Sequence, residues 1–120
     1  MILIFSGHNK RYKYINNMII NKYPNSSIVI QKDFKGDRKG KYDNDLRYDR
    51  ETLELFESHI EKRDSTESIF YPEEEFDLQK CNNFLYTTSK ELNSEKTIKF
   101  VKSVKPKMVF VFGVGLLSKE

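Results

Sequence analysis

The chain has 120 residues, 38% of them hydrophobic and 32% charged, with 21 basic against 18 acidic side chains and a formal net charge of +3. That length suits one domain, and so small a positive surplus argues against a nucleic-acid binder, which gathers its basic residues on one face. The single cysteine, Cys81, excludes an internal disulfide and fits a reducing compartment; with no leader-like opening and no membrane-length apolar run, the sequence reads as a soluble cytoplasmic protein.

Ile2 to Phe5 reads as a short buried strand closed by Ser6-Gly7. Arg11 to Tyr23 has the helical period, with Tyr12, Ile15 and Ile19 on one face and Met18 and Tyr23 beside them, and Pro24-Asn25 ends it. Ser27 to Ile30 is a second strand. Phe34 to Tyr48 is polar, contains Gly36 and Gly40, and reads as a flexible loop. Asp49 is placed to cap a helix running to about Phe70, in which Leu53, Phe56 and Ile60 recur at three and four residues. Pro72 and the acidic run Glu73 to Glu75 break the pattern before a third strand at Asn83 to Thr88. Asn93-Ser94-Glu95 opens a helix with a buried stripe at Ile98, Val101 and Val104, and Pro106 stops it. Met108 to Phe112 has no polar residue and reads as a fully covered fourth strand. Strands alternating with helices predict an α/β fold, a Rossmann-like parallel sheet with strand order 3-2-1-4 and flanking helices.

Two turns stand where a parallel sheet delivers its carboxyl ends, the edge at which such sheets bind ligands. Gly113 to Ser118 approximates the dinucleotide pattern G-x-G-x-x-G, with Ser118 in place of the third glycine and no acidic ribose ligand following. Its glycines permit a ligand to approach the backbone, or merely turn the strand, and a β-branched side chain at Gly115 is expected to fill the space a ligand approaches and to resist a positive φ. The other turn, Ser6 to Arg11, has free backbone N–H groups with Lys10 and Arg11 nearby and could hold a phosphate or carboxylate, or serve as an ordinary strand-to-helix turn. It is not a Walker loop. His59, next to Ile60, reads as a partly buried structural histidine. His8, at the sheet edge, suits a ligand site. Neither has a nucleophile or carboxylate at a telling spacing, and Cys81 is isolated, so no metal-ligand cluster is expected. Arg63 and Glu67 would face each other on a helix, an exposed pair worth only ~0.3–0.5 kcal/mol. The basic stretch Lys35 to Lys41 is interrupted by Asp37 and reads as a solvated loop.

Four stretches together resemble the amino-terminal half of the formyltransferase family, which includes methionyl-tRNA, glycinamide-ribonucleotide and sugar-amine N-formyltransferases. They are LIFSGHNKRYKYI, in which Tyr12 stands where the similar branch commonly has His; Arg63 to Tyr71, similar to an Arg-x-x-x-Glu-x-x-Phe element; Leu92 to Glu95 ahead of an amphipathic helix; and Lys105 to Leu117, similar to the family's Pro-Asp-x-hydrophobic-Gly-x-Gly-Ile/Leu strand, with Lys107 in place of Asp. The resemblance covers nearly the whole chain. It implies that Phe112, Gly113, Val114, Gly115 and Leu117 face 10-formyltetrahydrofolate, and that Gly7, His8, Asn9 and Lys10 lie toward an amine acceptor such as a nucleotide-linked amino sugar. The family's catalytic Asn-x-His element and its Asp have no counterpart in these residues. The implied protein is therefore an amino-terminal segment inactive alone, whose partner is a carboxyl-terminal half or, through the edge of the fourth strand, another copy. Two other readings fit the residues: a small Rossmann-like module that binds a nucleotide or phosphate without chemistry, and an interaction protein that pairs through that same edge.

Overall fold

The computed structural model describes residues 1–33, 46–71, 74–115 and 117. The chain divides into two compact units, Met1–Phe34 with Glu74–Glu120, and Lys35–Glu73. The first unit is built on four strands, β1 (Ile2–Ser6), β2 (Ser26–Gln31), β3 (Asn83–Thr87) and β4 (Met108–Phe112), with α1 (Lys10–Lys22) between β1 and β2 and α3 (Glu95–Val104) between β3 and β4. All neighbouring strands pair in parallel, in the order β3-β2-β1-β4. This is the Rossmann-like arrangement expected from the alternation of strands and helices.

Strand alternation divides the core into two layers. Ile4, Ile28 and Ile30 face Ile20 of α1 and Phe76, whereas Leu3, Phe5 and Val29 face Leu92 and Val104 of α3. Every residue of β2 is buried because the strand lies between β1 and β3 and is covered on both faces. The run Met108–Phe112 does form a strand, but it is not fully covered. Among the described residues it pairs only with β1, and Met108, Val109 and Val111 are about half exposed, because an apolar run is buried only if something lies over it and the edge position supplies no second neighbour there. α3 ends on Lys105 in the left-handed region (φ 51°), just before Pro106.

The inner face of α1 departs from the expected stripe. Met18 and Tyr23 are exposed, and its buried residues are Asn16, Asn17 and Ile20. The asparagines substitute hydrogen bonds for apolar contact. Asn16 Nδ2 donates to Ser6 Oγ (2.6 Å), while Asn17 Nδ2 donates to the Glu75 carbonyl and its Oδ1 accepts the Asp77 N–H, both at 2.8 Å. One turn on, Asn21 donates to Asp77 Oδ2 (2.8 Å) and accepts from Lys80 (2.6 Å). α1 thereby holds the segment leading into β3 by side chains that imitate backbone partners. In α3, Val104 is buried as expected; Ile98 and Val101 are half-buried, and Thr97, whose hydroxyl donates to the Glu91 carbonyl (2.9 Å), is buried with them.

The second unit carries α2 (Arg50–Phe70), capped by Asp49, whose carboxylate accepts the Thr52 N–H at 2.8 Å. Tyr48 and Phe56 meet edge to face at 5.2 Å. Leu53, Phe56, Ile60, Arg63 and Glu67 form the covered stripe of α2, and Ile60 is its buried member. His59 is exposed rather than partly buried, because it falls one position off that stripe. Arg63 and Glu67 are half-buried rather than exposed, and the Arg63 guanidinium lies 3.6 Å from the Asp64 carboxylate. The expected loop at 34–48 lies mostly outside the described residues, as does the Pro72 break. No helix among the described residues is long and apolar enough to cross a membrane.

Candidate functional site

In a sheet ordered β3-β2-β1-β4, successive connections run to opposite sides of β1, so the switch point lies between β1 and β4. Both sequence-predicted turns leave the sheet there. Gly7 N–H donates to the Phe112 carbonyl at 2.8 Å, extending the β1–β4 pairing by one bond into the turns. The two backbones are so close that a Cβ on Gly7 would come within 2.6 Å of the Gly113 carbonyl oxygen. Gly113 adopts φ 62°, and a Cβ there would run into the ring of Tyr12.

Tyr12 is thus the side chain that fills the space beside both glycines. It reaches them because Asn9 starts α1 immediately after the turn: Asn9 Oδ1 accepts the Tyr12 N–H at 3.0 Å, fixing the first helical turn over the β4 exit. The Arg11 guanidinium lies 5.0 Å from the centre of the Tyr12 ring and donates to its hydroxyl at 3.3 Å.

Gly115 differs from Gly113. Its φ is outside the left-handed region, so the positive φ expected there falls on Gly113 instead, and a Cβ on Gly115 would meet nothing nearer than 3.6 Å. What constrains Gly115 is its amide, which donates to Oε1 of the buried Gln31 at 2.9 Å. Gln31 Nε2 in turn donates to Asp33 Oδ1 (3.2 Å), and Asp33 accepts both the Ser89 N–H and the Ser89 hydroxyl at 2.8 Å. Those bonds, the Ser89 hydroxyl first, hold the Asp33 carboxyl below the usual aspartate range.

On the α1 face of the same edge, His8 is exposed at its rim, with its ring 5.9 Å from that of Phe76. Lys13, nearly buried, pairs with the exposed Glu75 at 3.4 Å, and the Lys32 ammonium sits 4.2 Å over the ring of Tyr86. Burial first, then the charge of Lys13, lower the pKa of His8, Glu75 opposing and Lys32 adding a smaller downward push. The imidazole is therefore neutral at neutral pH, with one ring nitrogen able to donate and the other to accept. On the α3 face, Phe5, Leu92, Thr97, Ile98, Val109 and Leu117 line much of a cavity of about 240 Å³.

Comparison with family models, with curated proteins and with solved structures found no match for the chain.

Of the residues expected to face a cofactor, Phe112 packs into the α1-side core, stacked on Phe110 at 6.2 Å, and Val114 packs against the α3-side core. Gly113 lies against Tyr12 and the Gly115 amide is held by Gln31, leaving Leu117, 41% exposed, as the outward-facing side chain of the five. Leu116 and Ser118 of the glycine pattern lie outside the described residues. Of the residues expected toward an acceptor, Gly7 is buried, Asn9 caps α1, Lys10 is its half-buried first residue, and His8 alone combines exposure with a perturbed pKa. Cys81 is a free, half-buried thiol whose pKa burial and the Asp77 charge raise to about 11, so it is not a nucleophile at neutral pH. Among the described residues no cluster of His, Cys, Asp and Glu is placed to hold a metal ion.

The sequence reading missed Tyr12 as the filler of the glycine turns, and it missed the Gln31–Asp33–Ser89 chain. The one local signal for the latter was a glutamine ending an otherwise apolar run, Ser27-Ile28-Val29-Ile30-Gln31, just where the strand reaches the ligand-binding edge.

Proposed function

We propose that the chain is the amino-terminal segment of a folate-dependent N-formyltransferase, with 10-formyltetrahydrofolate approaching the β4 exit and an amine acceptor approaching the β1 exit. The observation that carries this reading is the switch point. The two stretches that most resemble the family, Gly7 to Lys10 and Phe112 to Leu117, leave adjacent parallel strands on the edge where α/β sheets receive ligands. On this reading the cofactor meets the Gly113–Gly115 backbone and Leu117, while Phe112 and Val114 hold that backbone in place from inside the core. The acceptor meets His8, a neutral imidazole beside Lys13 and Lys32, which suits an anionic group such as the diphosphate of a nucleotide-linked amino sugar.

Formyl transfer requires removal of a proton from the attacking amine and stabilisation of the tetrahedral oxyanion. The family resemblance assigns those tasks to an Asn-x-His element and an Asp that have no counterpart in this sequence, and His8 is not moved into that role. The test is made with this chain and with a version extended by the sequence encoded after Glu120. The 120-residue protein is expected to bind a folate analogue weakly and to transfer no formyl group; the extension is expected to carry Asn-x-His and to restore both. Formyl transfer by the short chain, or an extended protein that binds no folate, overturns the proposal. The exposed His8 at the β1 exit, with Lys13 and Lys32 both acting on its charge, favours the second reading, a nucleotide- or phosphate-binding module, and saturable pyrophosphate binding with no folate binding in either version would select it.

A further inference from the structure

Gln31 is the residue on this edge whose connections go furthest. It ends β2, yet the backbone it holds, Gly115, follows β4, and β1 lies between those strands. Its amide therefore spans the exit of the central strand. Both of its ends are chemically specified. A backbone N–H such as that of Gly115 can only donate, which requires Oε1 there, and the Asp33 carboxylate can only accept, which requires Nε2 on the other side. Asp33 is fixed by two bonds from Ser89, on the turn that follows β3. The chain Ser89–Asp33–Gln31–Gly115 thus joins the exits of β3, β2 and β4 through side chains, independently of the sheet ladder.

We propose that Gln31 is a positioning residue for the β4 exit, with Asp33 orienting its amide, so that the shape of the Gly113–Gly115 backbone offered to a ligand is set by a side-chain relay beginning at Ser89. The purpose of that shape rests on the formyltransferase reading; the relay itself does not. It has a consequence for recognition. The Gly115 N–H is already engaged, so a ligand reads this turn through its other groups, and one that takes the Gly115 N–H must first displace Gln31.

The experiment is amide hydrogen exchange by NMR on the free protein. Gln31→Met retains the length of the side chain but neither hydrogen-bonding end, and is expected to speed exchange at Gly115 roughly tenfold, the loss of one hydrogen bond, while the Leu3 and Ile28 amides keep their protection. Asp33→Ala, at a half-exposed position that leaves the core intact, is expected to speed Gly115 exchange several-fold although the Gly115 amide bonds to Gln31 and not to Asp33. A passive packing role for Gln31 predicts no such effect. Unchanged Gly115 exchange in Gln31→Met, or in Asp33→Ala should the first variant not fold, overturns the assignment. No ligand is used, so failure of the relay and failure of folate binding are distinguishable.

Discussion

Gly113→Ala provides the sharpest test of how the β4 exit is built, because two separate costs meet at one methyl group. The first is conformational: φ 62° is left-handed, costing a residue with a Cβ about 1–2 kcal/mol. The second is steric, since the new Cβ would lie 2.6 Å from the Tyr12 hydroxyl oxygen and closer still to its ring, and overpacking of this kind costs about 1–3 kcal/mol. The expected loss is therefore about 2–5 kcal/mol, a large part of the stability of a small domain. The control is Gly115→Ala, where the nearest neighbours lie at 3.6–4.0 Å and φ is not left-handed; its expected effect is within about 1 kcal/mol of zero, since the lost freedom of the unfolded chain opposes any small strain. Urea unfolding followed by far-UV circular dichroism gives both values, provided the m-value is unchanged. A double-mutant cycle with Tyr12→Ala then separates the two costs: removing the ring relieves the steric part and leaves the conformational one, so a coupling of about 1–3 kcal/mol is expected. Equal destabilisation by the two alanines, or no coupling between positions 12 and 113, would refute the account of Tyr12 as the side chain for which the glycines make room.

Asn17→Ala removes both bonds that hold the segment before β3, to the Glu75 carbonyl and the Asp77 N–H, and is expected to cost about 2–3 kcal/mol in the same denaturation assay; a loss below about 0.5 kcal/mol would show that the asparagine face of α1 is incidental. His8 should titrate below the ordinary histidine range by NMR. Lys13→Ala is expected to raise that pKa and Glu75→Gln to lower it further, whereas opposite shifts would contradict the assigned charges. The sign for stability follows. Because the folded protein resists protonating His8, the unfolded state binds more protons as pH falls through the ordinary histidine range, and His8 contributes a loss of stability toward acid that His8→Gln should remove.

The fold was legible because its signals were local and redundant. Each of the four strands is a short run rich in β-branched or aromatic residues. Pro24 and Pro106 punctuate the helices α1 and α3, and the alternation of types leaves few parallel topologies. What periodicity could not reveal was which face lacked a neighbour. Val109 and Val111 have the same character as Val29, yet Val29 is buried between two strands and beneath α3, whereas β4 has β1 on one side only. Burial is a property of the arrangement of strands, and an apolar run carries no record of its position in the sheet. Asn16 and Asn17 were hidden for the converse reason. A polar residue on a helix reads as solvent-facing, and their partners, Ser6, Glu75 and Asp77, come from segments up to 60 residues distant.

The candidate site was half legible, and the division follows the chemistry. Glycines at strand exits advertise close backbone approach, so the two turns could be found from sequence; what approaches them could not. At Gly7 the neighbours are the Gly113 carbonyl and Tyr12, and at Gly113 the neighbour is Tyr12, all of the chain itself, and a glycine required by internal packing has the same sequence signature as one required by a ligand. Gly115 has neither steric requirement, and its backbone is constrained instead through Gln31, whose carbonyl satisfies an amide that the curved exit of β4 takes out of the ladder. Around the two exits the outward-facing side chains are Leu117 after β4 and His8 after β1, and Tyr12, with Arg11 on its ring and hydroxyl, packs against both glycines.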